Sequence, residues 1–101
     1  MSRERFEAAV LEAINSIPAA FQPYVQDIEF IVAERSTEGL LGLYEGAGAS
    51  AESLLPPRVT IFQEAHERGA GNWPELVAEV RRTVLHEVGH HFEMEEDELP
   101  Y

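Results

Sequence analysis

Residues 81–92 read Arg81-Arg82-Thr83-Val84-Leu85-His86-Glu87-Val88-Gly89-His90-His91-Phe92, and the rest of the chain is understood outward from them. Within the stretch stands His86-Glu87-x-x-His90. On a helix, residues four apart lie one turn above each other on the same face. His86 and His90 can therefore direct two imidazoles at one metal ion, with Glu87 beside them. Zinc accepts imidazole nitrogen, and a catalytic zinc keeps three protein ligands and one water. A carboxylate next to that water can serve as general base. The pattern points to one Zn2+ ion held by His86 and His90, to Glu87 as the catalytic base, and to hydrolysis of a peptide or protein substrate.

The motif needs a helix, and the residues before it supply one. Asn72 is placed to cap, Pro74 stands near the first helical position, and Glu75 lies in the first turn, all favourable at a helix start. Leu76, Val77, Val80, Val84, Leu85, Val88 and Phe92 recur at spacings of three and four and fill one broad face. His86 and His90 fall on the other side with Glu79 and Thr83, and Glu87 lies on the border. One face can pack on a core while the other carries the histidines into a cleft. Gly89 costs about 1 kcal/mol against alanine in a helix interior, which suggests close approach of another segment. His91 projects onto the apolar face and reads as a hydrogen-bonded core or boundary histidine.

Upstream, residues 3–17 read as an amphipathic helix that packs on the core. Phe6, Ala9, Val10, Ala13, Ile14 and Ile17 recur at helical spacing, Ser2 can cap, and Pro18 ends the pattern. Residues 19–26 are a connection with a short helical turn before Pro23. Residues 27–33 alternate, with Ile28, Phe30 and Val32 on one side, a strand rich in β-formers. A polar turn at 34–38 leads to a second strand, Gly39 to Tyr44, antiparallel to the first. The small residues 45–50 read as a mobile loop at the rim of a cleft. They are no phosphate loop, since no lysine follows at the needed spacing. Arg58 to Gln63 is a third strand, and residues 64–71 link it to the motif helix. His66 lies in this link; it could reach the metal but reads as an exposed loop histidine.

The chain has 101 residues, 45% of them hydrophobic, enough for one domain with one modest core. No run approaches the roughly 18 apolar residues of a membrane span. The start, Met1-Ser2-Arg3-Glu4-Arg5, lacks the apolar segment of a signal peptide. No cysteine is present, so disulfides and thiolate ligands are excluded. A cytoplasmic location is the expectation. With 19 acidic and 7 basic residues the formal net charge is −12. Such a field repels nucleic acid and anionic membranes, neither of which is expected as a partner, and favours cations, including metal ions and basic peptides.

The run His86-Glu87-Val88-Gly89-His90-His91-Phe92, followed by acidic residues, resembles the minimal zincin family of small bacterial zinc metallopeptidases. The similarity extends to Leu40-Leu41-Gly42-Leu43-Tyr44 and Arg58-Val59-Thr60-Ile61-Phe62, and so covers most of the chain. The resemblance implies an α+β zincin-like fold with a small sheet against the active-site helix. With the patterns above, the expected architecture is one domain over residues 1–101. Its three-stranded, mostly antiparallel sheet packs on an N-terminal helix and on the C-terminal helix that carries the motif.

A third metal ligand must be local or come from earlier in the chain, because only eleven residues follow His90. The metzincin kind of zincin resembles His-Glu-x-x-His-x-x-Gly-x-x-His, with an Asp last in some variants. In that register Glu93 stands where glycine is expected and Glu96 at the ligand position. Without the glycine that ends the helix, the helix can continue and bring Glu93 itself onto the face of His86 and His90. Glu96 is preferred as ligand, with Glu93 and Asp97 as alternatives. No downstream Met-turn exists, which sets the chain apart from true metzincins. The strand nearest the helix, Arg58–Phe62 or Gly39–Tyr44, can hold an extended substrate by strand addition. Tyr44, Tyr24 and Arg81 are candidates for stabilising the oxyanion. The rival reading is a catalytically silent metal-binding domain that acts as a peptide- or protein-binding module. A metal-dependent ribonuclease, which shares a three-histidine variant of the motif, fits poorly with the acidic charge.

Overall fold

The computed structural model describes residues 1–46 and 56–91, apart from the side chain of Tyr24. The element order is α1 (Arg3–Asn15), a 3-10 turn (Ala19–Phe21), α2 (Gln22–Val25), β1 (Glu29–Ala33), β2 (Gly42–Glu45), β3 (Arg58–Phe62), α3 (Gln63–Gly69) and α4 (Trp73–His91).

Helix α1 starts where the Ser2 hydroxyl accepts the Arg5 amide at 3.1 Å, satisfying one of the amides a helix start leaves open. Its apolar stripe, Phe6, Ala9, Val10 and Ala13, is buried. The helix stops at Asn15, a little before the expected end, and Pro18 prevents continuation. The Gln22 side-chain amide then donates to the carbonyls of Ile14 at 3.0 Å and Ile17 at 2.8 Å. Those bonds tie the connection back onto the helix end.

The sheet has the order β1-β3-β2. Strand β1 pairs with β3 in parallel, and β2 pairs with β3 antiparallel. The sheet is thus mixed rather than mostly antiparallel. β2 runs opposite to β1, as expected, but is not its neighbour. The burial along the strands gives the physical reason. β3 buries Val59, Thr60, Ile61 and Phe62 in succession, as a strand covered on both faces and both edges does. β2 alternates between half-buried and exposed residues, as an edge strand does. Gly39, with φ of 72°, makes the turn into β2 in the left-handed region that glycine enters at no steric cost.

The inner face of the sheet, with Phe30, Val32, Tyr44, Val59 and Ile61, packs on the helices. α4 contributes Leu76, Val80, Val84 and Val88 to the same core, and α1 contributes Phe6, Ala9, Val10 and Ala13. α4 lies against α1, β2 and β3 together. It is therefore held on two sides. Among the described residues no helix is long and apolar enough to cross a membrane.

Residues 63–69 form helix α3 instead of the expected link. Pairs at i and i+4 support it: Gln63 donates to Glu67 at 2.9 Å, and Arg68 pairs with Glu64. The helix turns His66 inward, and the residue is fully buried rather than exposed on a loop.

Candidate metal centre

Helix α4 begins as its sequence suggests. Asn72 Oδ1 accepts the Glu75 amide at 3.0 Å, and the Asn72 carbonyl accepts the Leu76 amide at 3.0 Å. From that start the register is fixed, and Glu79, Thr83, His86, Glu87 and His90 fall within one arc of the helix at 100° per residue.

His86 and His90 approach each other through their Nε2 atoms, which stand 3.3 Å apart. The rings meet edge to face, with centroids 4.9 Å apart. Both side chains are half-buried, while Glu87 is buried. Potential ligand atoms of His86, Glu87 and His90 all lie within 4.8 Å of one another. The imidazole spacing tests the fit of a metal. Two nitrogens bound at about 2.0–2.1 Å in a tetrahedron are separated by about 3.4 Å. The pair thus stands close to the spacing that zinc requires.

The strand side of the cleft is built by a glycine. A Cβ on Gly42 would lie 2.6 Å from Thr83 Cγ2 and 3.3 Å from Glu87 Cγ. Any other residue there would push β2 off the helix just beside Glu87. Gly89, where a close approach was expected, lies on another side of the helix and is itself buried.

The other residues singled out from the sequence fare differently. Glu96, Glu93 and Asp97 lie outside the described residues, as do Phe92 and most of the small-residue loop. The Tyr24 side chain is likewise not described. Arg81 precedes His86 by five positions, about 140° around the helix, and sits on another side. Tyr44 reaches α4 from β2, but its hydroxyl shares a hydrogen bond of 2.8 Å with His91 Nδ1. His91 is 8% exposed, the boundary histidine its position suggests. Burial holds its pKa below the usual histidine value, against an opposing pull from the charge of Asp27.

A family model described as zincin-like metallopeptidase matches residues 22–101. The chain belongs to the zincin-like metallopeptidase family. Among solved structures it is similar to a conserved hypothetical protein from Thermus thermophilus, at 25% identity and a TM-score of 0.61, over 91% of this chain and 94% of that one. No curated protein matches the chain. In this zincin-like protein the matched span takes in the sheet and α4 and leaves out α1.

A further histidine lies deeper along the same face of α4. His66 Nδ1 stands 3.6 Å from Glu79 Oε1, on the stripe that continues through Thr83 to Glu87. The ring is fully buried, with Phe6 beside it at 6.1 Å between centroids. Burial pushes its pKa down to about 4, against a smaller opposing pull from the Leu41 carbonyl. His66 is therefore neutral at pH 7. It sits more than one helical turn from the His86–His90 pair along α4, which makes it a structural residue rather than a third ligand. Gly69 and Gly71 give its segment the look of a loop. The Glu64–Arg68 and Gln63–Glu67 spacings are the signal for a helix there.

Proposed function

We propose that the chain is a zinc-dependent metallopeptidase in which His86 and His90 hold the ion and Glu87 is the general base. The observation that carries this reading is the 3.3 Å separation of the two Nε2 atoms on one helix turn, with Glu87 within reach. When bound, zinc supplies the Lewis acidity that polarises a carbonyl and eases deprotonation of water. Glu87 takes the proton from the water that attacks the peptide carbonyl carbon. It then delivers that proton to the amine nitrogen as the carbon–nitrogen bond breaks. Its burial beside β2 keeps the carboxylate aimed and bulk water out.

β3 is paired on both sides, so the role of holding an extended substrate falls to β2. Phe62 donates to the Leu41 carbonyl at 3.0 Å, which makes Leu41 and Phe62 a hydrogen-bonded antiparallel pair. The alternation of such pairs turns the N–H and C=O of the next residue, Gly42, away from β3 and toward the edge that pairs with no strand among the described residues. An extended peptide bonded to Gly42 lies alongside Glu87. The acidic field of the chain, with net charge −12, favours basic peptides at that edge.

The test is to incubate the zinc-loaded protein with a proteome-derived peptide mixture and read new termini by mass spectrometry. The expected result is cleavage that disappears when a chelator strips the metal and returns when zinc is restored. Metal-loaded protein that generates no new termini above the chelated control contradicts the proposal.

A further inference from the structure

We propose that Tyr44 is a positioning residue of the metal centre, acting through His91 to hold the turn of α4 that carries His90. This inference rests on the reading of His86 and His90 as metal ligands. His90 follows Gly89 directly in α4. A glycine weakens a helix by about 1 kcal/mol relative to alanine, and turns of low local stability open most readily. Opening there would carry the His90 imidazole away from His86.

Three features of the structure hold the turn in place. The Tyr44 hydroxyl and His91 Nδ1 share a 2.8 Å hydrogen bond across 47 positions of sequence. Their rings pack at 5.6 Å between centroids, tilted by 59°. Gly46 leaves the room the phenol needs, since a Cβ there would lie 2.5 Å from the Tyr44 hydroxyl and 3.0 Å from its Cζ. The anchor starts from β2, which Gly42 already seats against Thr83 and Glu87. Strand and helix are thus clasped on both sides of Glu87, at Gly42–Thr83 and at Tyr44–His91. With its hydroxyl so engaged, Tyr44 serves the site through geometry rather than as an oxyanion donor. Residues that orient metal ligands typically change affinity by about 10–100-fold when removed.

The experiment compares wild type with Tyr44→Phe, which keeps the ring and removes only the hydroxyl. His91→Phe tests the same bond from the helix side, and also serves if the tyrosine variant does not fold. Zinc affinity is measured by isothermal titration at pH 7, and cobalt substituted for zinc reports ligand geometry by its visible absorption. The expected result is a roughly tenfold loss of zinc affinity in each variant, with an altered cobalt spectrum. The double variant is expected to be no weaker than either single one, because both remove the same bond. Unchanged zinc affinity and cobalt spectrum in Tyr44→Phe overturn the inference, even if the metal-free protein becomes less stable. His86→Ala separates the two levels. If it binds zinc as wild type does, the metal-site reading itself falls. If it loses zinc while Tyr44→Phe does not, only the role of Tyr44 falls.

Discussion

Replacing Glu87 by glutamine should leave zinc bound and reduce peptide hydrolysis by at least about a hundredfold. Glutamine has the shape of glutamate but cannot take up a proton at neutral pH, so the substitution removes the base and little else. Positioned proton transfer contributes typically about 10²–10⁴-fold to a rate, which sets the size of the expected loss. Zinc affinity should change little, because the two imidazoles that stand 3.3 Å apart are untouched. Glu87 is 8% exposed and packs beside Gly42, so the amide occupies the same space without a new clash. Parallel measurements of peptide turnover and zinc binding check this. A Glu87→Gln protein that cleaves as fast as wild type rules out Glu87 as the base.

The second large effect concerns His66 and the stability of the fold. Its imidazole is fully buried and has a pKa of about 4 in the folded protein, against 6.5 for an ordinary histidine. Between those values the unfolded chain binds a proton that the folded protein refuses. Stability from this group is therefore complete above pH 6.5 and is lost as pH falls toward 4. A shift of this size corresponds to roughly 3 kcal/mol, more than a hundredfold in the folding equilibrium. Desolvation outweighs the opposing pull of the Leu41 carbonyl, so the protonated form is disfavoured in the fold. His66→Leu places an apolar side chain of similar size at the site and removes the titration. Urea unfolding at pH 7, 5.5 and 4.5 should show wild type losing stability faster than the variant as pH falls. Parallel pH dependences would show that His66 is not the buried neutral group described here.

What could be read from the sequence alone follows from the range of the interactions concerned. α4 was legible at its start and in its faces, because caps and 3.6-residue periodicity are local. The pairing of His86 and His90 followed from the same periodicity. Strand order was not legible in the same way, since it depends on contacts between distant segments. A signal existed nonetheless: Val59-Thr60-Ile61-Phe62 lacks the polar alternation of an edge strand, and the segment is the central strand. His66 is hard to place from sequence because Gly69 and Gly71 are stronger local signals than the two i, i+4 pairs Gln63–Glu67 and Glu64–Arg68. Its burial depends on Phe6, 60 positions away, which no local pattern reveals. Tyr44 stood out only as a polar aromatic near the site. Its partner His91 was placed at the core boundary, but their bond joins a strand to a helix and appears only in the fold. Gly42 lies in the stretch that shares the family resemblance but in no chemical motif, and its importance comes from the distance between β2 and α4.

The central claim is that His86 and His90 bind the metal, and zinc titration at pH 7 and pH 5 tests it most directly. A metal ligand must be deprotonated, so zinc and protons compete for imidazole nitrogen. Apparent zinc affinity should therefore fall steeply as pH drops from 7 to 5. The chain has no thiolate that could hold the metal against protons. Zinc should accordingly raise the melting temperature more at pH 7 than at pH 5, and His86→Ala should abolish tight binding at both. Affinity that stays flat with pH, or is unchanged in His86→Ala, would contradict the account.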